Sequence, residues 1–309
     1  MTSISGGLTS TGNIARELEE GINSIANQMY PELAKEYADI LDVSGSKKNY
    51  ETDVPLAGTG FAKVKPEGSA IEYDAMQEGA SKRYKHVTYA LGMIITEEAI
   101  EDNLYLPMMA KGAKMLARSI NHTKEQVAAN LFNNAYNAAY TGWDGVSLFS
   151  NAHKLIKGGT YSNVLPVAAD LSEAALEDAI ILAEELTDDA GLILGIKAQS
   201  LHIPTQQQFN AERILKSTLQ NDTNNNAINA LKSMGLLPKG YKVNHRFDNP
   251  NQWFLRTNVE DGGKMFMRKE FESKSDNDFG TSNYQHKATT RFSVGWTDAR
   301  QYIGSGIIA

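Results

Sequence analysis

The 309-residue chain is 41% hydrophobic and 22% charged, a globular composition with enough apolar material for at least one core, which excludes a disordered or purely fibrous chain. Its formal net charge of -7 supplies no basic footprint for neutralising phosphates, so direct DNA binding is disfavoured. The absence of cysteine removes disulfides, thiolate metal sites and a cysteine nucleophile together.

At the N-terminus, charges are interspersed with single apolar positions, which is not the pattern of a signal peptide, and no apolar run in the chain approaches the roughly 18–20 residues of a membrane span. Ile14, Leu18, Ile22, Ile25 and Met29 recur at helical spacing ahead of Pro31, which predicts an amphipathic helix over residues 13–30. Its apolar stripe needs cover, either from the protein's own core or from another subunit. Over residues 45–95, Gly58, Gly60, Gly68 and Gly79 punctuate runs such as Phe61-Ala-Lys-Val-Lys65 and Tyr84-Lys-His-Val-Thr-Tyr-Ala-Leu91. Their alternation predicts a long two-stranded hairpin. An isolated hairpin is marginal in water, so one that projects from the body needs a neighbour to supply its second layer.

Thr96 offers an N-cap and Glu97 and Glu98 suit the positive end of a helix dipole. Pro107 restarts the pattern, and the apolar set from Met108 to Phe132 predicts one helix reaching about Tyr140, roughly 50 Å long. Residues 143–165, rich in Gly, Ser and Asn, read as an irregular loop. Asp170-Leu-Ser-Glu173 starts a helix that Gly191 ends, and residues 192–204 read as a buried strand, which together make an α/β layer. A helix over 206–216, an Asn-rich loop over 220–229 and short strands over 253–256 and 264–268 follow. A closing strand pair over 289–297 and 300–308 shows one-sided alternation through Phe292, Val294 and Trp296. No internal repeat is visible, which removes solenoids and propellers.

The chemistry-bearing residues do not assemble into a motif. Gly58-Thr-Gly60 lacks the third glycine and following helix of a phosphate cradle. His86, His122, His153, His202, His245 and His286 are scattered singly, without ligand spacing, so no metal site is predicted. His153, in its glycine-rich loop, is the one candidate for catalysis, and an ordinary loop histidine is the plainer reading. Glu184-Glu185 and Asp188-Asp189 read as a solvated helix face. No catalytic residue and no cofactor are predicted. A soluble α/β hydrolase remains only a remote alternative, because no nucleophile and base can be named.

The order of elements carries more: amphipathic arm, glycine-marked hairpin, capped long helix, α/β insertion, return to strands. Over essentially the whole chain this order resembles the major capsid proteins of tailed bacteriophages, with the Hong Kong 97 phage capsid fold. Three phrases are similar to that family: Pro66-Glu-Gly68 followed by the run from Tyr84 to Thr96; Leu148-Phe-Ser-Asn-Ala-His153 with Gly158-Gly-Thr-Tyr-Ser-Asn163; and Arg291-Phe-Ser-Val-Gly-Trp-Thr-Asp298 closing with Tyr302-Ile-Gly304. The resemblance implies an α+β fold with an N-terminal arm at 1–48 and an extended β-hairpin loop at 49–95. It further implies a peripheral domain with a long spine helix at 96–142 and 257–300, and an axial α/β domain at 143–256 and 301–309.

By the same resemblance the protein is not an enzyme. It is a subunit that assembles with copies of itself, as hexamers and pentamers, into an icosahedral or prolate head. That shell forms in the host cytoplasm, is found in the virion, and encloses DNA without sequence-specific binding and without a membrane. The subunit-interface candidates are Ile14, Leu18 and Ile22 in the arm and Gly58, Gly60, Phe61, Lys63, Lys65 and Tyr84 in the loop. A separate scaffolding protein is implied, since no space for a scaffolding domain precedes residue 13. A portal protein and, optionally, a decoration protein are the other expected partners. Some members crosslink a loop lysine to a neighbour's asparagine; Lys63 or Lys65 is suitably placed, but no matching motif is found and no covalent link is predicted. The alternative on the same fold is an encapsulin-like compartment shell.

Overall fold

A computed structural model describes residues 29–30, 33–96, 98–99, 105–219, 228–278, 280–281 and 283–306. The predicted arm helix, with Ile14, Leu18 and Ile22, lies outside these, as do residues 220–227 of the Asn-rich loop. In chain order the elements are α1 (Tyr37–Ile40), β1 (Asp42–Gly45), β2 (Tyr50–Asp53), β3 (Leu56–Ala57), β4 (Gln77–Glu78), β5 (Lys82–Lys85), β6 (Val87–Ile95) and α2 (Tyr105–Asn133). They continue with β7 (His153–Lys154), β8 (Thr160–Tyr161), α3 (Glu173–Glu185), β9 (Ala198–Pro204), α4 (Gln208–Lys216), α5 (Ala230–Met234), β10 (Tyr241–Asn244), β11 (Phe254–Thr257), β12 (Gly263–Asn277), β13 (Tyr284–Trp296) and β14 (Tyr302–Gly304). The chain divides into two compact units.

The first unit comprises Met1–Lys35, His86–Glu125 and Met267–Phe292. It holds the first part of α2, a helix of 29 residues and hence about 43 Å, with Pro107 tolerated in its first turn. β6 runs antiparallel to β13 from Tyr284↔Ile95 to Phe292↔Val87, with β12 on the other side of β13. Leu116, Ala117 and Ile120 of α2 form a buried cluster with Tyr30 and Ala288, against which Met93 and Phe271 pack. Met93 packs close over Gly112, where a Cβ would lie 2.3 Å from Met93 Sδ and the flexible methionine would have to shift. Lys124 is fully buried, 3.2 Å from Glu270 and 4.9 Å from the centre of the Tyr30 ring, which itself stacks on Phe271 at 4.7 Å.

The second unit comprises Glu36–Lys85, Gln126–Phe266 and Ser293–Ala309. Its main sheet has the order β10-β9-β11-β14, with β9 and β10 parallel and β11 antiparallel to both β9 and β14. Ser172 caps α3 by accepting from Ala175 N at 3.2 Å, and the repeat Leu176, Ala179, Ile180, Ala183 lays that helix on Leu201, Ile203, Leu255 and Ile303. The opposite face carries His202, Phe254 and Tyr302. Phe132 stacks on Phe254 at 4.5 Å and meets Tyr302 edge-on at 5.0 Å. Covered on both faces, β9 buries polar as well as apolar side chains: Ser200 and His202 are buried and satisfy each other by a 2.9 Å hydrogen bond.

Several sequence expectations change. The two closing strands do not pair with each other: β13 pairs with β6, while β14 pairs with β11. The short strand expected at 264–268 is the start of the 15-residue β12. The helix expected to reach Gly191 ends at Glu185. Asp188 then caps a turn, accepting from Ala190 N and Leu192 N at 2.8 Å each, with Gly191 at a positive φ of 80°. Asp189 is not on a solvated face: it accepts from Ile156 N at 2.6 Å and is nearly buried. The loop over 143–165 contains the small β7–β8 hairpin, turned by Gly158 and Gly159 at φ near 100°.

Candidate assembly surfaces

Residues 50–85 form a loop rooted by two short antiparallel ladders, β2–β5 (Tyr50↔Lys85 to Asp53↔Lys82) and β3–β4 (Leu56↔Glu78, Ala57↔Gln77). Between Ala57 and Gln77 no strand forms, and large apolar side chains stand in solvent: Phe61 is 77% exposed, Val64 95% and Tyr73 89%. Exposed large apolar side chains of this kind are candidates for cover by a partner. Gly60 N donates to Asp74 at 2.7 Å, Lys63 pairs with Glu72, and Lys157 lies 3.4 Å from Asp74. Lys65 is exposed, and a Cβ at Gly58 would meet only Asp188, at 3.8 Å.

Tyr84 differs from the other loop candidates. Its ring is buried against Phe266, 5.2 Å away, and its hydroxyl is bonded to Thr297 Oγ1, which in turn donates to Asp53 at 2.7 Å. Lys264 joins the same carboxylate and lies 2.8 Å from Asp261, a residue held at φ 61°. Burial raises the Asp53 pKa, but the hydrogen bonds from Lys264 and Thr297 outweigh it and hold the carboxyl below its ordinary value. Gly295 makes room for the ring, since a Cβ there would lie 2.5 Å from Tyr84 Cε1. These groups tie the root of the loop to β12 and β13 within the second unit. The sequence signalled this only through the glycine of Val-Gly-Trp.

The remaining candidates for chemistry are structural. His153 is buried, with Nδ1 2.6 Å from Asp144 Oδ2, Nε2 3.1 Å from Leu148 O, and its ring between Tyr161 and Trp296. Both nitrogens are taken within the fold, so the residue braces the β7–β8 hairpin. Asn163 ends the same phrase and donates to Leu148 O, Ala299 O and Tyr302 O while accepting from Ser150 N. His202, stacked on Phe254 and bonded to Ser200 at 2.9 Å, has its pKa lowered to about 3, first by burial and then by Arg256, Lys242 and Lys239. Among the described residues no three His, Cys, Asp or Glu side chains group as metal ligands, and no helix is long and apolar enough to cross a membrane.

No curated protein matches the chain by sequence. Solved structures match by shape. A virus-like particle from Pyrococcus furiosus aligns with a TM-score of 0.53 at 9% identity, over 92% of this chain and 98% of that one. The procapsid of bacteriophage JBD30 aligns with a TM-score of 0.53 at 13% identity, over 96% and 75%. The capsid of a native GTA particle aligns with a TM-score of 0.52 at 11% identity, over 87% and 89%. At such identities these likenesses establish the fold, an α+β capsid fold. The sequence model of a family described as phage capsid protein matches residues 79–303, most of the chain, and the chain belongs to that family as a shell-forming major capsid protein.

Proposed function

We propose that the subunit builds a closed head from hexamers and pentamers around packaged DNA, with the exposed part of the loop at 49–95 lying across an adjacent subunit and the arm at 1–48 reaching beneath another. The observation that carries this is the exposed apolar loop on a firmly tied root. Residues 96–142 with 257–300 then act as the peripheral domain, and 143–256 with 301–309 as the axial domain. Many modest interfaces, each repeated around the shell, sum to a stable lattice. A separate scaffolding protein, a portal protein and, optionally, a decoration protein complete the partners of this reading, and assembly takes place in the host cytoplasm. The net charge of -7 suits a wall along which DNA must slide, because a basic lining would hold the genome.

Deleting residues 56–80 tests the reading, since Asp53 and Lys82 remain paired across the cut. The expected outcome, by light scattering and negative-stain microscopy, is a soluble subunit that forms no shells. Intact shells from that deletion refute the role of the loop. DNA inside particles, as opposed to protein cargo, separates a phage head from an encapsulin-like compartment.

A further inference from the structure

β6 ends its sheet. Among the described residues only β13 pairs with it, so one row of its N–H and C=O groups is unpaired over nine residues. Natural edge strands are protected by lysines, prolines, bulges or shortness. The sequence Val-Thr-Tyr-Ala-Leu-Gly-Met-Ile-Ile has no charge and no proline, and its ladder with β13 runs without a register shift. On the face where Met93 and Ala288 join the cluster under α2, Val87 and Leu91 stay 49% and 48% exposed. On the other face Thr88, Ala90, Gly92 and Ile94 are all exposed. Such an edge is built for strand addition.

We infer that the free edge of β6 seats residues 70–75 of the loop of a second copy, which add to it as a further strand. The inference rests on the shell-forming reading and supplies the surface that reading leaves unnamed. In that segment Ile71 and Tyr73 alternate with Glu72 and Asp74, all four are exposed, and on seating the two acids exchange their contacts with Lys63, Gly60 N and Lys157 for the new ones. Six residues span about 20 Å against about 30 Å for β6. Because alternate side chains of a strand face opposite ways, placing Ile71 and Tyr73 beside Val87 and Leu91 forces Glu72 and Asp74 to the other face.

That face holds the complementary charge. Lys287 is opposite Gly92 in the register, is exposed, and makes no ion pair among the described residues. Gly92 has no side chain to stand between Lys287 and a carboxylate on the added strand. Two β6 strands from different copies also have compatible backbones, but they bring no acid to Lys287.

The chain has no cysteine, so paired cysteines report the contact directly. Glu72→Cys combined in turn with Thr88→Cys and Ala90→Cys, in assembled particles under oxidation, should give a ladder of linked subunits on a non-reducing gel. Glu72→Lys and Lys287→Glu should each cut particle yield by about tenfold, since a weakened contact recurs in every copy, and the double exchange should restore it. Particles that give no ladder from either pair, with charge exchanges that do not compensate, overturn the seat. A ladder from Ala90→Cys alone shows β6 pairing with itself and also overturns it. Shells that survive deletion of residues 56–80 sink the loop reading itself, whereas shells lost in that deletion with no ladder here sink only the seat.

Discussion

β9 and the loop over residues 58–76 belong to the same unit and treat apolar side chains in opposite ways. Along β9 only Gln199 is not fully buried, with α3 covering one face and the aromatic layer of Phe132, Phe254 and Tyr302 covering the other. In the loop, Phe61, Val64 and Tyr73 meet water. Each large apolar side chain taken from water contributes about 1.5–3 kcal/mol, so β9 stabilises the subunit, whereas under the proposed function the loop makes its contribution only against a neighbour. A shell subunit needs both kinds of surface, and the contrast says which substitutions act on folding and which on assembly.

The largest effect on the folding side is expected at the aromatic layer. Phe132→Ala removes a ring that contacts Phe247, Phe254 and Tyr302 and should lower the stability of the dissociated subunit by about 3–5 kcal/mol in urea denaturation. Asn163→Ala should follow at about 2–3 kcal/mol, because it leaves Leu148 O, Ala299 O, Tyr302 O and Ser150 N without their shared partner. A loss below about 1 kcal/mol for either breaks the picture of a self-sufficient core.

Acid sharpens the comparison next. His202 is neutral in the fold with a pKa of about 3 against 6.5 for the free side chain, so the unfolded chain binds the extra proton. Its contribution is present above pH 6.5 and is lost as the pH falls, by about 1.4 kcal/mol per unit. Between pH 6.5 and 5 the subunit should lose about 2 kcal/mol, and His202→Gln should flatten that slope. Burial also lowers the pKa of His286 in the first unit, with the same sign. Asp53, held low, loses its contribution only as the pH falls below about 4, so the two effects separate. An unchanged slope in His202→Gln would show that His202 does not carry it.

How much of this was legible depended on how each segment is covered. The helix over α3 follows from residues buried by the chain itself, but the buried strand expected over 192–204 begins only at Ala198, with Ile193 and Leu194 exposed ahead of it. The glycine-marked loop follows from its punctuation, while the long hairpin expected there is two short ladders. β12 and β13 were read short because their outer parts, Lys269-Glu-Phe-Glu-Ser-Lys274 and Gln285-His-Lys287, carry too many polar residues for a period-two signal. There the ladder supplies the strand: β13 pairs with β6, and β12 pairs with β13. Sheet membership was misread for the last two strands because sequence neighbours in a β-rich ending suggest a hairpin, and nothing local records that β11 is the partner of β14. Tyr84 was read with the loop it closes, yet its side chain is held by Thr297, a partner 213 positions away.

The smallest effect on folding is the most telling for function. Phe61→Ser and Val64→Ser change side chains that touch little in the subunit, so each should shift its unfolding free energy by less than about 0.5 kcal/mol. If the loop's apolar groups are completed by a neighbour, the same variants should reduce shell yield and lower the temperature at which particles dissociate. Measuring both on one preparation separates the terms: a variant that folds as before and assembles poorly places the lost contact between subunits, while one that assembles as before shows that its exposed side chain stays in water in the shell as well.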